Sequence, residues 1–329
     1  MTAIGSFAGL PIENPDALQD LEMPVPELRP HDALVRVEAV SVNPADVKRR
    51  ASLPEADSPV ILGFDAAGVV EAVGDEVTTI AVGDDVWYAG DISRQGSNAQ
   101  FHAVDERIVA HKPVSLSYAD AAALPLTTIT AWETLFERFG LGAESTGDLL
   151  VVGAAGGVGS VMIQLAKALT RVRVIATASR DDSRQWARQM GADVVIDHHD
   201  LRAQALGVAP DGVDFVFSPH SRDNIDTYAE IVRPFGHITA IDEPEGLDLL
   251  PLKEKSIAWH WELMFTRPLF GYDIAAQQRL LTEAASLVDR GVLRTTVTSA
   301  VNDFTAAGIR RAHGQVESGR MIGKVVVHR

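Results

Sequence analysis

The sequence predicts an α/β protein: a doubly wound parallel sheet inserted into a β-rich domain that both chain ends build. Three observations carry this. Five apolar strands alternate with helical segments between Asp148 and Ile241. Short alternating strands separated by glycine turns precede them. The C-terminal tail resembles the N-terminal third in its pattern, so it is expected to return to the same domain.

In the first third, Leu34–Val40 alternates apolar and polar side chains as a half-buried strand does. Val69–Val73, Asp85–Tyr88 and Arg107–Ala110 follow the same pattern, with turn signals at Gly74-Asp75, Gly83-Asp84 and Gly90-Asp91. This spacing predicts a small, mostly antiparallel barrel or sandwich. At Ser117-Tyr118-Ala119-Asp120 a capping box opens an alanine-rich helix, and a second helix is expected over Trp132–Phe139.

The parallel strands are predicted at Leu149–Gly153, Arg173–Thr177, Val194–Asp197, Asp214–Ser218 and Gly236–Ile241. Their continuous Val, Ile and Phe runs suit strands covered on both faces. The pattern breaks after about Ile257. A helix from about Ile274 to Asp289 stops at Gly291, and short strands follow near Thr295–Ser299 and Lys324–His328. The expected division is 1–122 with 266–329 for the β-rich domain, and 123–265 for the parallel-sheet domain.

Composition narrows the function. The chain has 329 residues, 46% of them hydrophobic, and a formal net charge of −16. Such a charge disfavours general binding to nucleic acid, which depends on neutralising phosphate. With no cysteine, disulfides, catalytic thiols and thiolate zinc sites are excluded. The start, Met1–Phe7, lacks the basic and apolar regions of a signal peptide, and no apolar run approaches the roughly 20 residues of a membrane helix. A cytoplasmic protein with no membrane partner is expected.

The chemistry is carried by Leu149-Leu150-Val151-Val152-Gly153-Ala154-Ala155-Gly156-Gly157-Val158-Gly159. An apolar strand enters a glycine turn and then a helix whose Val158, Met162, Leu165, Ala166 and Leu169 share one face. This is the dinucleotide fingerprint of a Rossmann domain, with Ala154 at the first glycine position and Gly156 and Gly159 at the next two. Small residues let the backbone approach a diphosphate, whose charge the helix N-terminus favours. NAD-preferring sites place an acid about 20 residues further on. Here Ala178 stands there, followed by Ser179 and Arg180. A hydroxyl and a guanidinium suit the 2′-phosphate of NADP(H), although Arg180 can equally be a solvated residue opening the next helix.

The run from Gly63 to Gly90, the segment Ala122–Thr127 and the glycine motif together resemble the medium-chain dehydrogenase/reductase superfamily. The segments Trp261–Arg267 and Glu317–Val326 resemble its quinone oxidoreductases, specifically the zinc-type alcohol dehydrogenase-like branch. The likeness covers nearly the whole chain. It implies a GroES-like catalytic domain, an active site in the cleft beside the Rossmann domain, and a homodimer or higher oligomer. The zinc ligands are missing: Pro44 and Phe64 stand where the resemblance puts the first ligand and the histidine, and the four-cysteine lobe is absent.

Hydride transfer to a quinone or an α,β-unsaturated carbonyl is then the expected reaction, because the delocalised product oxyanion needs only one or two donors. The resemblance implies a carbonyl or ribose contact for Asn43, which can instead be a turn former before Pro44. Tyr88 can donate a proton or pack at a domain edge. By resemblance Thr127 and Thr130 line the nicotinamide; they also read as helix-start hydroxyls. Asp46 can orient Asn43 or Lys48, or sit in a first helical turn. His198, His199 and His220 read as loop histidines. Trp259, Trp261, Met264 and Phe265 fit a substrate wall, a core or a dimer interface. Two alternatives remain: a zinc-dependent alcohol dehydrogenase with unusual ligands, and an NADPH-binding protein without turnover.

Overall fold

A computed structural model describes all 329 residues. It divides into two units, Met1–Ile129 with Phe265–Arg329, and Thr130–Met264.

In the first unit the N-terminal elements are β1 (Thr2–Ser6), β2 (Gln19–Glu22), β3 (Asp32–Ser41), α1 (Pro44–Ala51), β4 (Val60–Ile61), β5 (Ala66–Val73), β6 (Asp85–Tyr88), β7 (Phe101–Asp105) and β8 (Val109–His111). Two short helices follow, α2 (Tyr118–Ala122) and α3 (Pro125–Trp132), whose residues from Thr130 on already belong to the second unit. Strands β2, β1 and β4 form one small sheet. The predicted β-rich body is present as a seven-stranded sheet centred on β3, which pairs antiparallel with both β5 and β7. Its residues Val35, Val37 and Val40 join Val70, Val86 and Tyr88 in one apolar core, the step from Val37 to Val40 crossing a shift in the β3–β5 register. The strand expected over Arg107–Ala110 begins only at Val109, because Asp105 caps a short 3-10 turn over Glu106–Ile108. The expected separate helix at Trp132–Phe139 is a continuation of α3 into a π-helical turn over Glu133–Arg138.

The second unit alternates β9 (Asp148–Val151), α4 (Gly157–Leu169), β10 (Arg173–Thr177), α5 (Asp181–Met190), β11 (Val194–Ile196), α6 (Leu201–Val208), β12 (Val213–Ser218), α7 (Ile225–Ile231), β13 (Val232–Ala240) and β14 (Ala258–Trp261). All pairings are parallel, in the order β11-β10-β9-β12-β13-β14. This is the doubly wound order, with the direction of winding reversing between β9 and β12. The sheet has six strands where five were expected. The missed strand, β14, is four residues of Ala-Trp-His-Trp without the Val/Ile run that marks the others, and it contains Trp259 and Trp261.

The chain then returns to the first unit with α8 (Thr266–Phe270), α9 (Ala276–Asp289), β15 (Val297–Val301), α10 (Ala306–Glu317) and β16 (Lys324–His328). Strand β16 pairs with β3, so the tail completes the sheet begun near the N-terminus. No helix is long and apolar enough to cross a membrane.

Candidate active site

In the second unit, β9 ends in a turn that only small residues can make. Gly153 has φ +67°, a left-handed conformation, and its N–H donates to Thr177 Oγ1 at 3.0 Å. Gly156 N–H donates to the Gly153 carbonyl at 3.0 Å and precedes α4 with no side chain capping the helix. The first intrahelical bond is Ser160 N–H to Gly156 O, 2.9 Å. The amides of Gly157, Val158 and Gly159 come before it and form the positive end of the helix dipole. A Cβ on Gly159 would lie 2.6 Å from Ala154 Cα, so helix and turn approach at a spacing that requires glycine. Uncapped amides over a glycine-lined turn fit a dinucleotide diphosphate.

At the end of β10, Ser179 and Arg180 lie where the sequence places them, with Arg180 as N-cap residue of α5. The Arg180 guanidinium sits 3.2 Å from Asp182 Oδ1. One helical turn on, Arg184 reaches back to the Ser179 carbonyl (3.5 Å) and to Asp197 (3.3 Å). Its i+4 spacing from Arg180 was the available signal. The His198 and His199 rings stack with centroids 4.3 Å apart, and His199 Nδ1 lies 2.7 Å from Asp197. Asp197 supplies a carboxylate beside the pair, and potential ligand atoms of the three residues lie within 4.8 Å of one another on an accessible surface. Elsewhere in this unit the buried Glu262 carboxylate accepts from Arg138 Nε at 2.9 Å; burial, and then the Glu133 carboxyl, raise its pKa.

In the first unit a buried polar cluster connects segments far apart in sequence. Asp46 Oδ2 accepts the Asn43 amide at 2.8 Å and Oδ1 accepts the Gly63 amide at 3.1 Å. Burial pushes the Asp46 carboxyl up to about 7, with the Asn43 amide and Lys324 pulling the other way. Asn43 Nδ2 donates to Asp65 Oδ2 (2.7 Å), which also accepts from Ser41 Oγ (2.7 Å). Asp65 Oδ1 accepts the Leu126 amide at 2.7 Å, anchoring the first turn of α3. The Lys324 ammonium donates to Asn43 Oδ1, to Asp65 Oδ2 and to the Val42 carbonyl. Asp65, Lys324 and Ser41 were not singled out from the sequence. The one available hint was position, since Asp65 follows Phe64 in the stretch matched to the zinc ligands.

Tyr88 is fully buried, and its hydroxyl lies 3.0 Å from His102 Nδ1, whose Nε2 lies 2.9 Å from the Gln95 carbonyl. Nε2 therefore donates to the carbonyl and the phenol donates to Nδ1. Burial raises the phenol pKa and lowers that of His102 to about 4. Thr127 in α3 donates to the Leu124 carbonyl just ahead of the helix at 3.0 Å, and Thr130 on the same helix is also buried. Phe265 packs edge-on against Phe64 with centroids 5.0 Å apart. Met264 is buried, while Trp261 is half exposed.

The two stretches matched to zinc-binding positions do not fit a zinc ion. Pro44 and Phe64 offer no ligand, Asn43 Oδ1 and Asp65 Oδ2 already accept from an ammonium group, and Asp65 Oδ1 holds the Leu126 amide.

A GroES-like β-rich unit combined with a doubly wound dinucleotide-type unit defines the medium-chain dehydrogenase/reductase class of oxidoreductases. Residues 29–131 match the alcohol dehydrogenase GroES-like domain and residues 190–327 the zinc-binding dehydrogenase domain. The chain is 37% identical to a zinc-type alcohol dehydrogenase-like protein of Staphylococcus epidermidis, covering 100% of this chain and 99% of that one. It is 31% identical to a 2-methylene-furan-3-one reductase of Solanum lycopersicum, over 92% of this chain and 73% of the relative. A chloroplastic NADPH-dependent alkenal/one oxidoreductase of Arabidopsis thaliana is 29% identical, over 92% and 74%. A crystal structure from Rhizobium etli CFN 42, provisionally classed as a zinc-dependent alcohol dehydrogenase, superposes with a TM-score of 0.96 at 46% identity, covering 100% of this chain and 98% of that one. The chain belongs to the zinc-type alcohol dehydrogenase-like family of medium-chain dehydrogenases/reductases.

Proposed function

We propose that this oxidoreductase transfers hydride from NADPH to a quinone or an α,β-unsaturated carbonyl without a catalytic metal. The observation that carries the reading is the uncapped start of α4 beside the left-handed Gly153 turn. The names of the two plant relatives, an enone-type reductase and an NADPH-dependent alkenal/one oxidoreductase, point to the same chemistry. When bound, the reduced cofactor supplies the hydride. The amides of Gly157, Val158 and Gly159 hold its diphosphate, and Ser179 with Arg180 hold the 2′-phosphate. Thr127 and Thr130 serve as the hydroxyls beside the nicotinamide. Asn43 is the polar group at the acceptor end, with Asp46 orienting it through its backbone amide, and the proton comes from water, since the Tyr88 hydroxyl is engaged with His102.

A cytoplasmic homodimer is proposed with it. Strand β14 pairs with β13 alone and so leaves an open edge, beside which Trp261 and Leu263 are each 51% exposed. An apolar sheet edge of this kind is a template for a second copy.

Stopped-flow NADPH oxidation against a panel of quinones and enals, with NADH in parallel, tests the function. Rapid oxidation with at least one acceptor class and slower use of NADH is the expected outcome. Binding of NADPH without oxidation by any acceptor would overturn it.

A further inference from the structure

The cluster around Asp65 has the geometry of a cation site whose cation belongs to the chain. An ammonium group has three N–H donors. Lys324 directs them at three oxygens: the Val42 carbonyl (3.3 Å), Asn43 Oδ1, and Asp65 Oδ2 (3.2 Å). Lys324 is 4% exposed, and Asn43 and Asp65 are 1% exposed. A charge buried this deeply persists only when it is paired and hydrogen-bonded, as here. The partners come from the end of β3, from the stretch before β5 and from the start of β16. Asp65 extends the set to α3 through the Leu126 amide.

We propose that this cluster is closed to a metal ion: the fixed Lys324 ammonium compensates Asp65, orients the Asn43 carboxamide and keeps a divalent cation out. This deepens the metal-free part of the reading above and does not depend on which acceptor is reduced. A divalent ion among these oxygens would lie next to a buried positive charge, with every available carboxylate and carboxamide oxygen already committed. Lys324 is a positioning residue in this scheme, acting through Asp65 and Asn43.

Two measurements test it. In the first, a His198→Ala/His199→Ala background removes the exposed surface trio, and the protein is loaded with Zn(II) alone, gel-filtered and analysed for metal. Zinc far below one per chain is expected. One retained zinc per chain that is lost on Asp65→Asn would overturn the proposal. In the second, Lys324→Met, Asp65→Asn and the double variant are melted. Lys324→Met should lower Tm by on the order of 10 °C, and adding Asp65→Asn should recover most of that loss. A double variant whose loss equals the sum of the two singles would overturn the pairing. If Lys324→Met yields no folded protein, a folded double variant supports the proposal and an unfolded one opposes it. The outcomes separate from the function itself. Retained zinc with turnover indifferent to chelators removes the role of Lys324 and leaves the reductase standing, whereas absent turnover with zinc excluded does the reverse.

Discussion

The Lys324 ammonium stands 3.2 Å from the Asp65 carboxylate, both groups buried, and the same carboxylate holds the Leu126 amide at 2.7 Å. One carboxylate thus joins the last strand of the chain, the end of β3 through Ser41 and Asn43, and the first turn of α3. The segments that lack zinc ligands are held together by an internal ion pair.

Gly159→Ala tests the close approach of α4 to its turn. The added Cβ would meet Ala154 Cα at 2.6 Å, and backbone cannot yield as a flexible side chain does. A loss of about 1–3 kcal/mol in stability is expected, as for overpacking elsewhere. Weaker NADPH binding should accompany it, read by denaturant melts and by fluorescence titration.

Arg180→Ala tests the phosphate assignment. A charge-assisted contact contributes about 1.5–3 kcal/mol, so the NADPH-over-NADH ratio in kcat/KM should fall about tenfold or more. NADH use should be unchanged. An unaltered ratio would leave Arg180 as no more than the partner of Asp182.

Asp46 sets a pH dependence of stability. Burial first of all raises its carboxyl from the usual range to about 7, so the folded state binds the proton more tightly than the unfolded chain does. Its contribution is complete at acid pH, below the unfolded value near 4. It declines as pH rises from there through about 7. Asp46→Asn should flatten that part of the stability curve, measured by urea melts between pH 4 and 8. A variant curve parallel to that of the wild type would show that Asp46 titrates normally.

Tyr88→Phe should act on stability and not on turnover. Removing the hydroxyl leaves the buried His102 Nδ1 without its donor, which costs about 1–3 kcal/mol. Steady-state kcat should stay within a few-fold of the wild type. A loss of several hundred-fold in kcat with an unchanged Tm would restore Tyr88 as a proton donor.

Trp261→Asp places a charge beside the open edge of β14. If that edge joins two copies, light scattering should show the dimer falling to a monomer, while the far-UV spectrum is retained. A wild-type protein that is monomeric at micromolar concentration would remove the dimer directly.

Local patterns made much of this protein legible. The turn from Gly153 to Gly159 and the parallel strands on either side could be read because strand, turn and helix are contiguous and each has its own spacing. The same locality explains what was missed. Strand β14 has four residues, and its alternation of Trp with Ala and His resembles no buried parallel strand until β13 lies beside it. The shift of β8 towards its C-terminal side follows from a cap by Asp105, a competition between turn and strand that the alternation of Arg107–Ala110 does not reveal.

From the sequence alone came the class of fold, the glycine turn between strand and helix and the absence of thiolate or histidine ligands at the matched zinc stretches, since all three are properties of short contiguous segments. Tertiary structure alone decided that Tyr88 is engaged with His102 and that Lys324 faces Asp65 across 259 positions of chain. The physical reason is that the pairing of a buried charge is set by which strands become neighbours. A lysine in an apolar C-terminal strand carries no mark of its partner until β16 is laid against β3.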